Sequence, residues 1–476
     1  MLRRAHCFTI AGMLGLASAS VFAAAPIAGA AAGAAAVGVE PASIIHHLAS
    51  KTQPPSEAEC LAAFGIPCYG PQQVETAYDE GPLYARGITG KGETIVIVDA
   101  FGSPTIQSDL ATFDAETGLP APPSFKVIQP AGAVPPYDPS NGTMVGWAGE
   151  TTLDVEYSHT MAPGANILLV ETPVAETEGT AGFPQIVEAE NYVIDHHLGQ
   201  VISQSFAATE QTFPNKGSLL SLRGAYINAY HHGVTVLGSA GDTGAANYSN
   251  AAGTELFTFP TVNWPASDPL VTGLGGTRLS LNAAGQHTAP DVVWNDTYNT
   301  ALNELFFGDA GPNPLATGGG LSAVFHRPRY QDGVAGVVGR ARGVPDISMS
   351  AACSAPVLTY QSFAPQTPGW YLTCGTSEAS PLFAGVVAQA DQVAHHSLGL
   401  INPALYALLA AHAPGLVPVT SGNNTVSFTQ NGTTYTVQGF SARQGYSAVA
   451  GVGTVDAALF VPELALTASH LPPGRP

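Results

Sequence analysis

Four short runs of nearly unbroken apolar, largely β-branched residues recur in the first half of the chain, at 94–98, 167–170, 201–203 and 234–237. A strand with one wet face alternates apolar and polar side chains. Unbroken runs instead suit strands covered on both faces, as in a parallel sheet. Between them, 186–198 and 219–230 space their apolar residues by three and four, the period of a helix. Strand alternating with helix predicts an α/β fold, a doubly wound, mostly parallel sheet with helices on both faces. Ligands of such sheets sit at the carboxyl ends of the strands.

The rest of the composition narrows the function. Hydrophobic residues are 45% of the 476 and charged residues only 11%, enough apolar material for a large core. Net charge is −20, from 35 carboxylates against 15 Lys and Arg, so the chain lacks the basic footprint of a nucleic-acid binder. A carboxylate-rich surface sheds charge as pH falls, so self-repulsion weakens in acid. Arg3 and Arg4 followed by an apolar run from Cys7 to about Ala25, with Val21-Phe22-Ala23 as a small-residue cleavage signal, read as a secretory signal over 1–25. No other long apolar stretch follows, which argues against a membrane anchor. Export leaves Cys60, Cys68, Cys353 and Cys374, which allow three pairings. Cys60–Cys68 and Cys353–Cys374 are favoured in an oxidising compartment. Residues 26–73 form a low-complexity stretch and a short N-terminal or pro segment ending near Tyr69. One catalytic domain then spans 74–465, before a tail at 466–476.

The chemistry is concentrated in three segments. Gly375-Thr376-Ser377 leads into a helix with Leu382, Phe383, Val386, Val387 and Ala390 at apolar positions. Ser377 would then lie at a helix N-terminus, where free N–H groups and the positive dipole end stabilise an anionic intermediate. A serine there is more commonly a cap. The longer string Gly-Thr-Ser-x-x-Ser-Pro followed by Ala-Gly resembles the nucleophile segment of the subtilisin clan. A serine nucleophile needs a base, yet the His-Gly-Thr-His of subtilisins is absent. In the corresponding stretch stand Glu150 and Asp154, four residues apart and hence on one face of a helix, ahead of Ala162-Pro163-Gly164-Ala165. Alone, two such carboxylates would read as a solvated helix face.

Together with Ser239-Ala240-Gly241-Asp242, these segments resemble the sedolisin family, the serine-carboxyl peptidases, in the family's order. Gly318-Gly319-Gly320-Leu321-Ser322, Val344-Pro345-Asp346-Ile347-Ser348 and Leu274-Gly275-Gly276-Thr277 add to the likeness. The resemblance covers about 74–465. It implies a subtilisin-like fold and a secreted, acid-active endopeptidase on protein or peptide substrates, working as a monomer. Ser377 would be the nucleophile, Glu150 its general base and acid, Asp154 the residue that orients Glu150, and Asp242 the oxyanion-hole group. A carboxylate with an ordinary pKa of about 4 still works as a base where histidine would be fully protonated. Asp242 could donate to an oxyanion only while it keeps its proton.

Other candidates rank below these. His159, five residues past Asp154, stands where no Ser-His-Asp family places a base. The His pairs at 46–47, 196–197 and 231–232 share no metal motif and are expected on the surface. Asp99, closing the run at 94–98, is expected to support the hydrogen-bond network. The family's calcium site takes carboxylates from an Asp-hydrophobic-Thr and a Gly-aromatic-Asp segment. Here Pro418-Val419-Thr420 and Gly445-Tyr446-Ser447 stand instead, so no cofactor or metal is expected. The rival readings are a subtilisin-type peptidase and a secreted pseudo-peptidase acting as a binding module. The second would keep its function after Ser377→Ala.

Overall fold

The computed structural model describes residues 44–49, 52–308 and 310–471, so the expected secretory signal lies outside the described residues. At its centre are eight strands: β1 (Thr94–Ala100), β2 (Phe125–Ile128), β3 (Asn166–Thr172), β4 (Val201–Gln204), β5 (Thr235–Ser239), β6 (Thr272–Arg278), β7 (Val292–Val293) and β8 (Ile347–Ser350). They run in the order β7-β6-β5-β4-β1-β3-β2, with β8 also beside β6. Every pairing is parallel except that of β7 with β6. This is the doubly wound, mostly parallel sheet that the apolar runs imply.

Each buried strand feeds two cores. Ile95, Ile97, Ile167, Leu169 and Leu237 enter one apolar cluster, and Val96, Val98, Leu168, Val170 and Val236 enter another. Successive side chains of a strand point to opposite faces, so a sheet covered on both faces needs apolar residues at every position. The first cluster also holds Leu153 of α1 (Gly142–Met161), and the second holds Phe183, Ile186 and Val193 of α2 (Phe183–Asp195) and Tyr226 of α3 (Gly224–His232). The region 219–230 is not one helix. A helix at Lys216–Leu220 stops, and α3 starts anew at Gly224, a weak helix former, beside Arg223. Arg223 reaches the buried Asp268, pairing with it at 2.5 and 2.8 Å.

A second, smaller sheet sets the approach to Ser377. Strand Ile44–Ala49 pairs antiparallel with Gly369–Cys374, which pairs with Val357–Gln361. The middle strand runs directly into Gly375 and α4 (Thr376–Ala394). Disulfides Cys60–Cys68 and Cys353–Cys374 are both present, the second tying the entry of α4 to the end of β8. Tyr69, near the expected end of a pro segment, is buried, and its backbone bonds Pro356 and Leu358.

Candidate active site

Helix α1 opens at Asn141, whose side chain accepts from the N–H groups of Thr143 and Met144. It ends before Pro163, which disfavours helix in the residue ahead of it. From Trp147 to Met161 every residue is buried, so the helix has no solvated face. Glu150 and Asp154 are both fully buried, unlike the acidic pair of a wet helix. The remaining charged groups point elsewhere. Glu156 accepts from the N–H of Tyr360, and His159 Nε2 lies 2.7 Å from the carbonyl of Pro120 and 3.3 Å from Asp114.

Helix α4 packs across α1 at close range. A Cβ added at Gly385 would lie 2.4 Å from Cβ of Met161, so only glycine lets the two backbones approach this far. Gly375, at φ 128°, turns the chain from its strand into α4 and sets Ser377 in the first turn. Ser377 is buried and its Oγ makes no hydrogen bond among the described residues.

Ser205, just beyond β4, joins the two helices. Its hydroxyl lies 2.8 Å from Asp154 Oδ1 and 3.3 Å from the carbonyl oxygen of Ser377. Four residues on from Ser377 stands Pro381, which has no N–H to offer that carbonyl in the helix. The structure thus brings Asp154 and Ser377 together through a residue that carries no sequence motif.

Asp242 follows β5 and reaches the same turn from the other side. Its Oδ1 accepts from Thr376 N at 2.7 Å and Thr376 Oγ1 at 2.8 Å, and Gly241 N donates to that same hydroxyl at 3.0 Å. Oδ2 is buried and makes no hydrogen bond. Burial pushes the Asp242 carboxyl up to about 8, against the opposing pull of the two Thr376 bonds. It therefore holds its proton across the acid range.

Asp99, at the carboxyl end of β1, completes a carboxyl cluster. Burial, and then the charges of Glu150 and Glu171, raise Asp99 well above the usual carboxylate range, with Thr151 opposing. Burial, and then Asp99 and Glu150, raise Asp154, with Ser205 opposing. Carboxyls crowded in a dry site cannot all ionise, so the group shares protons and titrates together. The paired histidines 196–197 and 231–232 are exposed, as is His46, while His47 is half-buried.

Comparison with known proteins places this geometry. The chain is 29% identical over 390 residues to kumamolisin from Bacillus sp. (strain MN-32), covering 80% of this chain and 62% of that protein. It is 30% identical over 406 residues to sedolisin from Pseudomonas sp. (strain 101), covering 85% of this chain and 62% of that protein. The solved structure of Pseudomonas sedolisin, a serine-carboxyl proteinase complexed with two molecules of pseudo-iodotyrostatin, matches with a TM-score of 0.68 at 27% identity, over 85% of this chain and 99% of that one. The chain belongs to the sedolisin family. No family model matches it. Its fold is the subtilisin-like one of sedolisin, and it spans about 62% of the length of these two curated relatives.

Among the residues around this sedolisin-type site, sequence reading missed Ser205 and Thr376 as hydrogen-bonding members. The signal for Ser205 was a polar Ser-Gln-Ser step closing an apolar strand, 203–205.

Proposed function

We propose that this chain is a secreted serine-carboxyl endopeptidase that cleaves protein or peptide substrates in acid, as a monomer. The observation that carries the reading is the Ser205 hydroxyl lying between Asp154 and the Ser377 carbonyl, with Asp242 bonded to the residue beside Ser377. In this reading Glu150 takes the proton of Ser377 Oγ as the oxygen attacks the peptide carbonyl carbon. Asp154 orients Glu150, and the protonated Asp242 donates through Oδ2 to the oxyanion. Collapse breaks the C–N bond, and Glu150 returns the proton to the leaving amine. Water then repeats the sequence on the acyl-enzyme and frees Ser377. Activity needs Asp242 protonated, so it falls as pH rises through about 8.

Two disulfides support an oxidising compartment, and no helix among the described residues is long and apolar enough to cross a membrane. The family's calcium does not fit the residues present. Pro418 has no side-chain oxygen, and the Ser447 hydroxyl accepts from Ala450 N while its backbone pairs both ways with Gly451. Calcium takes about six to eight oxygens, charged ones among them, and among the described residues no three His, Cys, Asp or Glu cluster as ligands. We infer that this loop holds without a metal.

The test is to trap the acyl-enzyme. Acid quenching during turnover of a peptide ester should leave the acyl mass on the fragment containing Ser377. A label on any other residue, or none at any pH, would end this reading.

A further inference from the structure

Thr376, the residue ahead of Ser377, places both of its donors on one oxygen of a carboxyl. Its N–H lies 2.7 Å and its hydroxyl 2.8 Å from Oδ1 of Asp242, so the same atom accepts twice. The hydroxyl is itself held, because Gly241 N donates to it at 3.0 Å. Gly241 stands at φ 102°, where glycine is favoured, and a Cβ there would run into the side-chain amide of Asn263. Ser239, closing β5, fixes the other end of the residue by donating from Oγ to the Thr376 carbonyl at 2.9 Å. All four hydrogen bonds are buried.

This pattern decides where the proton of Asp242 sits. A hydroxyl has one proton to give. With Gly241 N donating to it, the Thr376 hydroxyl finds its acceptor, among the described residues, in Asp242 Oδ1. A proton on Oδ1 would meet the Thr376 N–H and that hydroxyl hydrogen head-on. Oδ2 is buried and takes no donor. The acid proton is therefore directed to Oδ2, the oxygen that is free to donate onward.

We propose that Thr376 is a positioning residue of the site, which occupies Oδ1 of Asp242 with its N–H and hydroxyl and so reserves Oδ2 for the proton given to the oxyanion. The inference rests on the peptidase reading above. It gives the middle residue of Gly-Thr-Ser a part of its own beside Ser377.

The titratable group that faces Asp242 from α4 is Glu378, also raised to about 8 by burial. The segment 316–318, whose Ala316 and Gly318 N–H groups bond the carbonyls of Asp242 and Gly241, carries no titratable side chain. Asn247 and Asn263, bonded to each other beside the turn, are neutral amides. Glu378 is unchanged in every variant below, so differences between them report the Thr376 contact.

A hydrogen bond to a charged oxygen is stronger than one to a neutral oxygen, so the Thr376 hydroxyl favours the carboxylate. Its loss raises the Asp242 pKa. Thr376→Val keeps the shape without the hydroxyl. It should move the alkaline limb of the kcat/KM profile to higher pH by about one unit, the size of one hydrogen bond to a charged group. Its kcat should fall about 10-fold, because the proton is no longer confined to Oδ2. Thr376→Ser restores the hydroxyl and should return the limb to within a few tenths of a unit of wild type. Ser239→Ala loosens the same turn but leaves both bonds to Asp242, so its limb should stay in place whatever its rate. If the valine chain does not fold, Thr376→Ala is read in the same way.

The experiment is a set of pH–rate profiles on the intact chain with a fluorogenic peptide, beside Ser377→Ala. An alkaline limb that rises without the hydroxyl, recovers in Thr376→Ser and stays in Ser239→Ala supports the proposal. A limb that stays in Thr376→Val, even with a lower rate, or that moves equally in Ser239→Ala, overturns it and leaves Thr376 a packing role. Wild-type activity that is absent, or that survives Ser377→Ala, overturns the peptidase reading and this proposal with it.

Discussion

Pro381 stands one helical turn beyond Ser377 and leaves the Ser377 carbonyl without a helical N–H, and the Ser205 hydroxyl lies 3.3 Å from that oxygen. The same hydroxyl is 2.8 Å from Asp154. A proline that weakens a helix thereby opens a link between the Ser377 turn and the acidic pair on α1. Ser205→Ala removes the link without adding bulk. One hydrogen bond to a charged group corresponds to about a 10- to 100-fold effect. We expect kcat to fall about 10-fold with KM within about twofold, and Ser205→Thr, which restores a hydroxyl, to recover most of it. An alanine variant with unchanged kcat would show that the contact is incidental.

Asp242 should control the alkaline limb. Its carboxyl, raised to about 8 by burial, donates only while protonated, so wild-type activity should fall away through that range. Glu378, also raised to about 8, lies near enough to interact with Asp242. Asp242→Asn keeps an acceptor for Thr376 and offers an N–H that does not titrate, so the alkaline limb should move upward. Asp242→Ala should lower kcat by about 100- to 1000-fold. A profile in Asp242→Asn that overlays wild type would assign the limb to another group.

Stability should run the same way as activity. Asp99, Asp154, Glu156 and Glu176 are held well above the ordinary carboxylate range, chiefly by burial, and Glu80 and Glu190 are each raised to about 8. An unfolded chain releases these protons near pH 4. Between about 4 and 8 the folded chain binds more protons, so its stability is complete below about 4 and is lost as pH rises through 8. Thermal melts should give a Tm at least about 5 °C higher at pH 4.5 than at pH 8. Glu190→Gln, which cannot ionise beside Gln204, should flatten that slope. A Tm that climbs with pH would contradict the account.

Calcium should contribute nothing at the Pro418–Ser447 region. Dialysis against a strong chelator is expected to leave Tm within about 1 °C of its starting value, since Pro418 and Ser447 offer no carboxylate to hold a metal. A drop of about 10 °C would mean that oxygens outside these segments complete a site.

The fold was legible because a sheet buried on both faces must be apolar at every position, and Ile95 through Val98 are. The Glu150–Asp154 spacing placed both acids on one helical face, and both favoured disulfides formed. What escaped depends on distant packing. Helical spacing does not reveal that α1 is enclosed all round, and that burial raises the Asp154 carboxyl well above the usual carboxylate range. Ser205 meets Asp154 and Ser377, 51 and 172 positions away, a relation that no local pattern records. The continuous helix expected over 219–230 is interrupted between Leu220 and Gly224, where Arg223 pairs with the buried Asp268.

The most direct test of the central claim is the pH profile of cleavage of denatured protein from about pH 2 to about pH 9, for wild type, Ser377→Ala and Glu150→Ala. The account predicts an acid maximum that disappears in both variants. A maximum near neutrality that survives Glu150→Ala would place the base elsewhere and contradict it.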